Sequence, residues 1–329
     1  MELSDIKTIG IVGAGLMGHG IAQVFAFRGY QVNIFDVDQE ALNDVPNRIR
    51  ENAAVFEELG MITSKTVESG LANITLCKNL TGIADSAHVV IEAISEKLDL
   101  KISVFREIET HVASDVILCS NTSAISITEI SHGMKHRDRF LGTHFWNPPQ
   151  VLPCVEVIKG EATSEKTFET VCALLESAGK DPVKVFKDVP GFLGNRLQHA
   201  MWREAVSMVE KGIASPEDID KVVKNGFGLR CAFLGPLETA DLAGIDLSRE
   251  VHAYLFPFLS SATEPSPVLS EMCRDKKLGA KTGQGFHSWP PSKLRGFVKQ
   301  RDKTLLKFLS LRQDNLNPIK AQDDEPKHG

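Results

Sequence analysis

Five polar residues stand where strand and helix patterns call for apolar ones: Ser123, His144, Asn147, Glu156 and Asn195. They are of the types that oxidation of a carbinol requires. A histidine titrates near neutrality and can take the hydroxyl proton. A glutamate hydrogen-bonded to the imidazole would hold its tautomer and stabilise the cation that forms, while hydroxyl and amide groups stabilise charge on the reacting oxygen. Taken singly, each has a plain structural reading as well. Ser123 can end a strand, Glu156 can sit on a solvated strand face and Asn195 can cap a helix.

A second chemical signal lies near the N-terminus. The short β-branched run Thr8-Ile9-Gly10-Ile11-Val12 stops at Gly13-Ala14-Gly15-Leu16-Met17-Gly18, a G-x-G-x-x-G turn. Gly13 allows the tight turn, Gly15 leaves room for a pyrophosphate, and Gly18 lets the next helix pack on the strand. That helix, from about His19 to Arg28, directs its free N–H groups and dipole at the phosphates. Gln31 to Phe35 reads as the next strand and delivers Asp36, 23 positions after Gly13, at the spacing of an acid that binds a ribose 2'-hydroxyl. Preceding strand, following helix, second strand and acid together predict a dinucleotide site rather than a bare strand–helix turn. Asp36 would repel a 2'-phosphate, and Val37 and Asp38 bring no arginine to receive one, so NAD is expected over NADP.

The elements that must hold these groups alternate. Strands are expected at Ile74 to Cys77, Val89 to Ala93, Val116 to Cys119, Phe140 to Thr143, Cys154 to Ile158 and Val183 to Phe186, with helices at Leu98 to His111 and Glu165 to Ser177. Between Gln39 and Ala72 the pattern gives more helix than a crossover needs, broken at Pro46 and Gly60, and predicts a projecting helical hairpin. Beyond Asp188-Val189-Pro190-Gly191 the strand signal fades. Helices are expected at 192–211, from Ser215, and at 236–243, 248–259, 267–275 and 291–311. The expected fold class is α/β, a Rossmann-like NAD-binding domain at 1–189 followed by an all-helical domain at 190–312, with a polar, disordered tail at 313–329.

Composition narrows the function. The 329 residues suffice for two domains, and a hydrophobic share of 42% suits a soluble protein. A formal charge of -6 disfavours nucleic acid as a partner. No apolar run approaches the roughly 18 to 20 residues of a membrane span, and Met1-Glu2-Leu3-Ser4-Asp5 lacks a signal-peptide profile, so a cytoplasmic protein is expected. Six scattered cysteines without a C-x-x-C pair read as reduced thiols. His132 and His136, spaced i, i+4, lack the glutamate of a zinc helix, and no metal is expected.

The ordered runs Gly13 to Gly18, Glu92 to Glu96, Ser120 to Ser123, His144 to Pro148, Val155 to Val157, Pro190 to Arg196, Gly235 to Glu238 and Lys281 to Phe286 resemble the 3-hydroxyacyl-CoA dehydrogenase family, over roughly Ile6 to Trp289. The resemblance implies that His144 is the catalytic base, Glu156 its orienting partner, and Ser123 and Asn195 the groups at the substrate oxygen. It places Asn147 beside nicotinamide and substrate, Glu96 near the nicotinamide ribose and Lys101 where cofactor and substrate arm meet. The cofactor set is then Gly13, Gly15, Leu16, Met17, Gly18, Asp36, Ala93, Glu96, Lys101, Ser123 and Asn147. A helical C-terminal domain that forms a homodimer is implied too.

Local features depart from that pattern. Pro148-Pro149 after Asn147, and Gly228-Leu229-Arg230-Cys231-Ala232-Phe233 before Gly235, are similar to the branch with λ-crystallin, gulonate 3-dehydrogenase and carnitine 3-dehydrogenase, whose substrates are free hydroxy acids. Lys281 to Phe286 looks instead like the acyl-CoA branch. Oxidation of a 3-hydroxyacyl-CoA is the leading expectation, with Arg48 and Arg50 of the hairpin as the clustered cations for its nucleotide. The alternative substrate is a free hydroxy acid, whose carboxylate Arg230 would hold. A third expectation, from another class, is an inactive NADH-binding structural protein.

Overall fold

The computed structural model describes residues 1–84 and 86–315. The chain forms two compact units, Met1–Arg196 with Asp302–Lys307, and Leu197–Arg301 with the last helix from Phe308.

The first unit is built on one eight-stranded sheet: β1 (Thr8–Val12), β2 (Gln31–Phe35), β3 (Ile74–Leu76), β4 (Val89–Glu92), β5 (Ile117–Ser120), β6 (Phe140–Phe145), β7 (Cys154–Lys159) and β8 (Asp181–Val185). Their order is β3-β2-β1-β4-β5-β6-β7-β8. Every neighbouring pair is parallel except β6 and β7. The chain winds outward in both directions from β1 and β4, so a crevice opens beyond their C-terminal ends, the place where ligands bind in such sheets.

Both faces of the sheet are covered, which is why β1, β4, β5 and β6 are buried at every position. Ile9, Ile11, Val89 and Ile91 pack with Phe25 of α1 (Gly18–Ala26) and Phe168 of α8 (Glu165–Ser177) on one side. Val90 and Leu118 pack with Phe105 and Ile108 of α6 (Leu98–His111) on the other.

The expected hairpin consists of α2 (Gln39–Asn43), α3 (Val45–Glu58) and α4 (Ser64–Ala72). Asp38 caps α2 and Thr63 caps α4, each accepting backbone N–H groups. Pro46 occupies the first turn of α3, where its missing N–H costs nothing, so the break falls at Asp44. Val45, Ile49 and Ala53, spaced by four, give α3 its buried face, and the first two join the core around α1. The short helices α5 (Thr81–Ala84) and α7 (Ile127–Ile130) were not expected, since four residues show no periodicity.

The second unit is helical: most of α9 (Gly194–Glu210), then α10 (Pro216–Asn225), α11 (Phe227–Arg230), α12 (Pro236–Ala243), α13 (Ile245–Leu255), α14 (Pro267–Arg274) and much of α15 (Pro291–Asn315). Residues 313–315 of the expected tail continue α15, and 316–329 lie outside the described residues.

Candidate active site

Two strand ends were expected too early, that of β5 by one residue and that of β6 by two, and both corrections bear on the site. Ser120 is the last residue of β5, and His144 lies inside β6. His144 is held there by the antiparallel β6–β7 pairing, which sets it directly opposite Glu156. Side chains directly opposed on one sheet face are within reach of each other. Glu156 Oε2 is 2.8 Å from His144 Nδ1, and both side chains are buried. A carboxylate only accepts, so Nδ1 carries the hydrogen and Nε2 keeps the lone pair that can take a proton.

The other Glu156 oxygen, Oε1, accepts the N–H groups of Leu193 and Gly194, each at 2.9 Å. Burial opposes charge on Glu156, yet hydrogen bonds from His144, Gly194 and Leu193 outweigh it and hold the carboxyl below its ordinary range. Phe192, just before these amides, is fully buried at φ 50°, a left-handed conformation costing an L residue about 1–2 kcal/mol. Its ring lies 6.0 Å from the imidazole and that of Trp146 5.2 Å, so His144 has aromatic walls.

Ser123 and Asn195, distant in sequence, meet: Asn195 Nδ2 donates to the Ser123 carbonyl at 2.7 Å. The Ser123 loop is held from below by Glu96, whose Oε1 accepts Thr122 Oγ1 at 2.6 Å, Ser123 N at 2.9 Å and Ala124 N at 3.2 Å. Burial works against the Glu96 charge, but Thr122, Lys101 and Ser123 lower its pKa. Asn147, next after Trp146, is exposed.

Lys101 is only 1% exposed, and its ammonium lies 2.6 Å from Glu92 Oε1 and 3.2 Å from Glu96 Oε2. It therefore acts on the crevice through Glu96. Glu92 also accepts Ser120 Oγ at 2.6 Å and Ile94 N at 2.8 Å. Sequence reasoning missed this buried role of Glu92 and Ser120; its one signal was an acid ending the run Val89-Val90-Ile91, a position that should be buried. It also missed Asn121, whose Oδ1 accepts Phe145 N at 2.9 Å and ties the end of β5 to β6. Another was Lys180, which donates to the carbonyls of Pro149 and Leu152 and braces the loop after Asn147. Burial pushes its pKa down to about 8.

At the crevice end of β1 the geometry suits a dinucleotide. Gly13 has φ 109°, and a Cβ there would come 2.6 Å from the Ala93 carbonyl oxygen, so β1 and β4 close tightly at this point. A Cβ on Gly18 would lie 1.8 Å from the Gly13 oxygen. At Gly15, by contrast, nothing lies within 4 Å of an added Cβ, which leaves the backbone open to a phosphate. Leu16 is exposed and Met17 packs partly on the core. Asp36 Oδ2 accepts Ala14 N at 2.6 Å and Oδ1 accepts Asp38 N at 2.9 Å, fixing the carboxylate beside the turn. These residues fit NAD.

Both hairpin arginines have partners within the first unit. Arg48 Nη1 donates to the Ala14 carbonyl at 2.8 Å, and Arg50 lies 3.5 Å from Glu68 Oε2. Arg230 belongs to α11 of the second unit and is exposed.

The family profiles described as 3-hydroxyacyl-CoA dehydrogenase, NAD binding domain, and 3-hydroxyacyl-CoA dehydrogenase, C-terminal domain, match residues 8–189 and 191–289. The chain belongs to the 3-hydroxyacyl-CoA dehydrogenase family. It is similar to the 5-formyl-3-hydroxy-2-methylpyridine 4-carboxylate 5-dehydrogenase of Mesorhizobium japonicum, with 34% identity over 301 residues covering 92% of this chain and 96% of that one. The probable 3-hydroxybutyryl-CoA dehydrogenase of Bacillus subtilis is 39% identical over 286 residues, covering 87% and 98%. A crystal structure of 5-formyl-3-hydroxy-2-methylpyridine 4-carboxylic acid 5-dehydrogenase, described as an NAD+ dependent dismutase, superposes with a TM-score of 0.88 at 33% identity over 94% of this chain and 99% of that one. The protein is an NAD-dependent oxidoreductase with a Rossmann-like domain and a helical C-terminal domain.

Proposed function

We propose that this dehydrogenase oxidises the carbinol of a small free carboxylic acid to a carbonyl, reversibly, with His144 as general base. The observation that carries the chemistry is the buried His144–Glu156 pair. His144 Nε2 takes the hydroxyl proton, and Glu156 stabilises the imidazolium that results. The hydroxyl of Ser123, on the loop after β5, and the amide of Asn195, in the first turn of α9, polarise the substrate oxygen. NAD supplies the hydride acceptor, held by the Gly13 to Gly18 turn and by Asp36. An inactive structural protein would have no use for a base so constrained.

The hairpin supports a free acid over a CoA ester. Between Gln39 and Ala72 it carries Arg48, Arg50 and Lys65 against Glu40, Asp44, Glu51, Glu57, Glu58 and Glu68, a net charge of −3. Arg48 is engaged with the cofactor turn and Arg50 with Glu68. Such a surface offers little to the phosphates of CoA. The pyridine carboxylate dehydrogenase of Mesorhizobium japonicum provides a relative named for a free acid. A 3-hydroxyacyl-CoA is the second reading, favoured by the family description and by the Bacillus subtilis relative. Purified protein with NAD, offered 3-hydroxyacyl-CoAs beside gulonate, carnitine, 3-hydroxybutyrate and hydroxymethylpyridine carboxylates, tests the choice. NADH formation with a free acid alone supports the first reading, and formation with CoA esters alone supports the second.

We also propose a homodimer formed through the helical unit. Helices α10 to α14 bury no residue within the chain, while Leu237, Leu242, Tyr254 and Phe258 are 79%, 75%, 76% and 66% exposed. A unit of this size needs apolar burial to offset its ordering entropy, and a second copy would supply it. All six cysteines are free thiols, which suits the reducing cytoplasm. No helix among the described residues is long and apolar enough to cross a membrane.

A further inference from the structure

The turn between β1 and α1 is gripped by three side chains, of which the glycine pattern announces only one. Asp36 accepts the Ala14 N–H at 2.6 Å. Arg48, reaching in from α3, donates to the Ala14 carbonyl at 2.8 Å. His19, in the first turn of α1 and 5% exposed, meets the Gly15 carbonyl through Nδ1 at 2.8 Å. A carbonyl only accepts, so this ring nitrogen is the donor.

These ties have an electrostatic consequence. A backbone carbonyl turned toward a phosphate repels it, whereas N–H groups at a helix start attract it. With the Ala14 and Gly15 oxygens bound to donors, the turn cannot rotate to present them. The open approach at Gly15 is then left to N–H groups. Arg48 adds a full positive charge beside the turn. Burial lowers the pKa of His19 against the opposing effect of its bond to Gly15, and the field of Arg48 adds to the lowering, which favours the neutral imidazole that donates here.

We propose that Arg48 and His19 are positioning residues for the diphosphate of NAD, locking the Ala14–Gly15 backbone in its anion-binding form, with Arg48 coupling the hairpin to cofactor affinity. The hairpin thus serves the cofactor through α3, a role distinct from any it has toward substrate. This inference rests on NAD binding alone and is independent of the substrate class proposed above.

The test is direct binding to the full-length protein without substrate, by titrating NADH, and separately ADP-ribose, into wild type, Arg48→Met, Arg48→Lys, His19→Ala and Arg50→Met. Expected are a loss of about tenfold in affinity for both ligands in Arg48→Met, a smaller loss in His19→Ala, partial recovery in Arg48→Lys, and no change in Arg50→Met. At saturating NAD, kcat of Arg48→Met should match wild type, because these ties act equally in ground and transition states. Affinity within twofold of wild type in Arg48→Met would overturn the proposal. So would an Arg48→Lys protein as weak as Arg48→Met with the same fall in melting temperature, which marks a folding contact. A raised KM for an acyl-CoA with unchanged NADH affinity would place Arg48 on the substrate instead and likewise overturn it.

Discussion

Glu156 faces His144 across the sheet's one antiparallel junction and divides its two oxygens, Oε2 to the imidazole and Oε1 to the amides of Leu193 and Gly194. One carboxylate therefore sets the tautomer of the base and fixes the chain where α9 begins. A glutamine cannot do both, since it has one acceptor oxygen where three donors converge.

Glu156→Gln should accordingly lower kcat by about 10² to 10⁴ and destabilise the fold as well. The pH dependence has a definite sign. The Glu156 carboxyl is held below its ordinary value of about 4.3, so its contribution to stability is complete above that value and is lost as pH falls through the folded-state pKa. The gap in melting temperature between wild type and Glu156→Gln should thus be constant near neutrality and close below about pH 4. A gap that widened in acid would contradict the assignment.

The Glu92–Lys101 pair is more deeply buried, at 0% and 1%. Lys101→Met should cost about 3–5 kcal/mol in denaturant unfolding, because it strands a buried carboxylate. Glu92→Gln combined with Lys101→Met should recover much of that loss. Additive losses in the double variant would show that the two charges do not act as a pair.

Gly13 and Gly15 should respond differently to alanine. Gly13→Ala meets the Ala93 carbonyl and a positive φ, so both folding and binding suffer. Gly15→Ala meets no protein atom, so its melting temperature without cofactor should stay near that of wild type while NADH affinity falls at least tenfold. Unchanged NADH affinity in Gly15→Ala would mean that phosphate does not approach there.

Asp36→Ala should narrow the preference for NAD over NADP, as judged by kcat/KM with each. Comparable use of both cofactors by the wild-type protein would show that Asp36 does not discriminate.

Much of this was legible in the sequence because it is local. The Gly13 to Gly18 turn, Asp36 and the strand starting at Thr8 are encoded within 29 residues, where period and glycine placement suffice. His144 and Glu156 stood out as polar residues in apolar strands, though their direct opposition depends on the β6–β7 register. The contact of Arg48 with the cofactor turn was not legible, for a physical reason. On α3 it looks like any exposed cation, and only the packing of Val45 and Ile49 onto the core turns it toward Ala14. The ties made by Glu92, Asn121 and Lys180 likewise join segments that no short-range pattern connects.

The central claim, that His144 is the base of an NAD-dependent dehydrogenase, is tested most directly by His144→Ala. Its turnover should fall by about 10² to 10⁴ while its affinity for NADH, measured by titration, stays at the wild-type value. Undiminished turnover by His144→Ala across the pH range, with the same substrate that wild type oxidises, would contradict it.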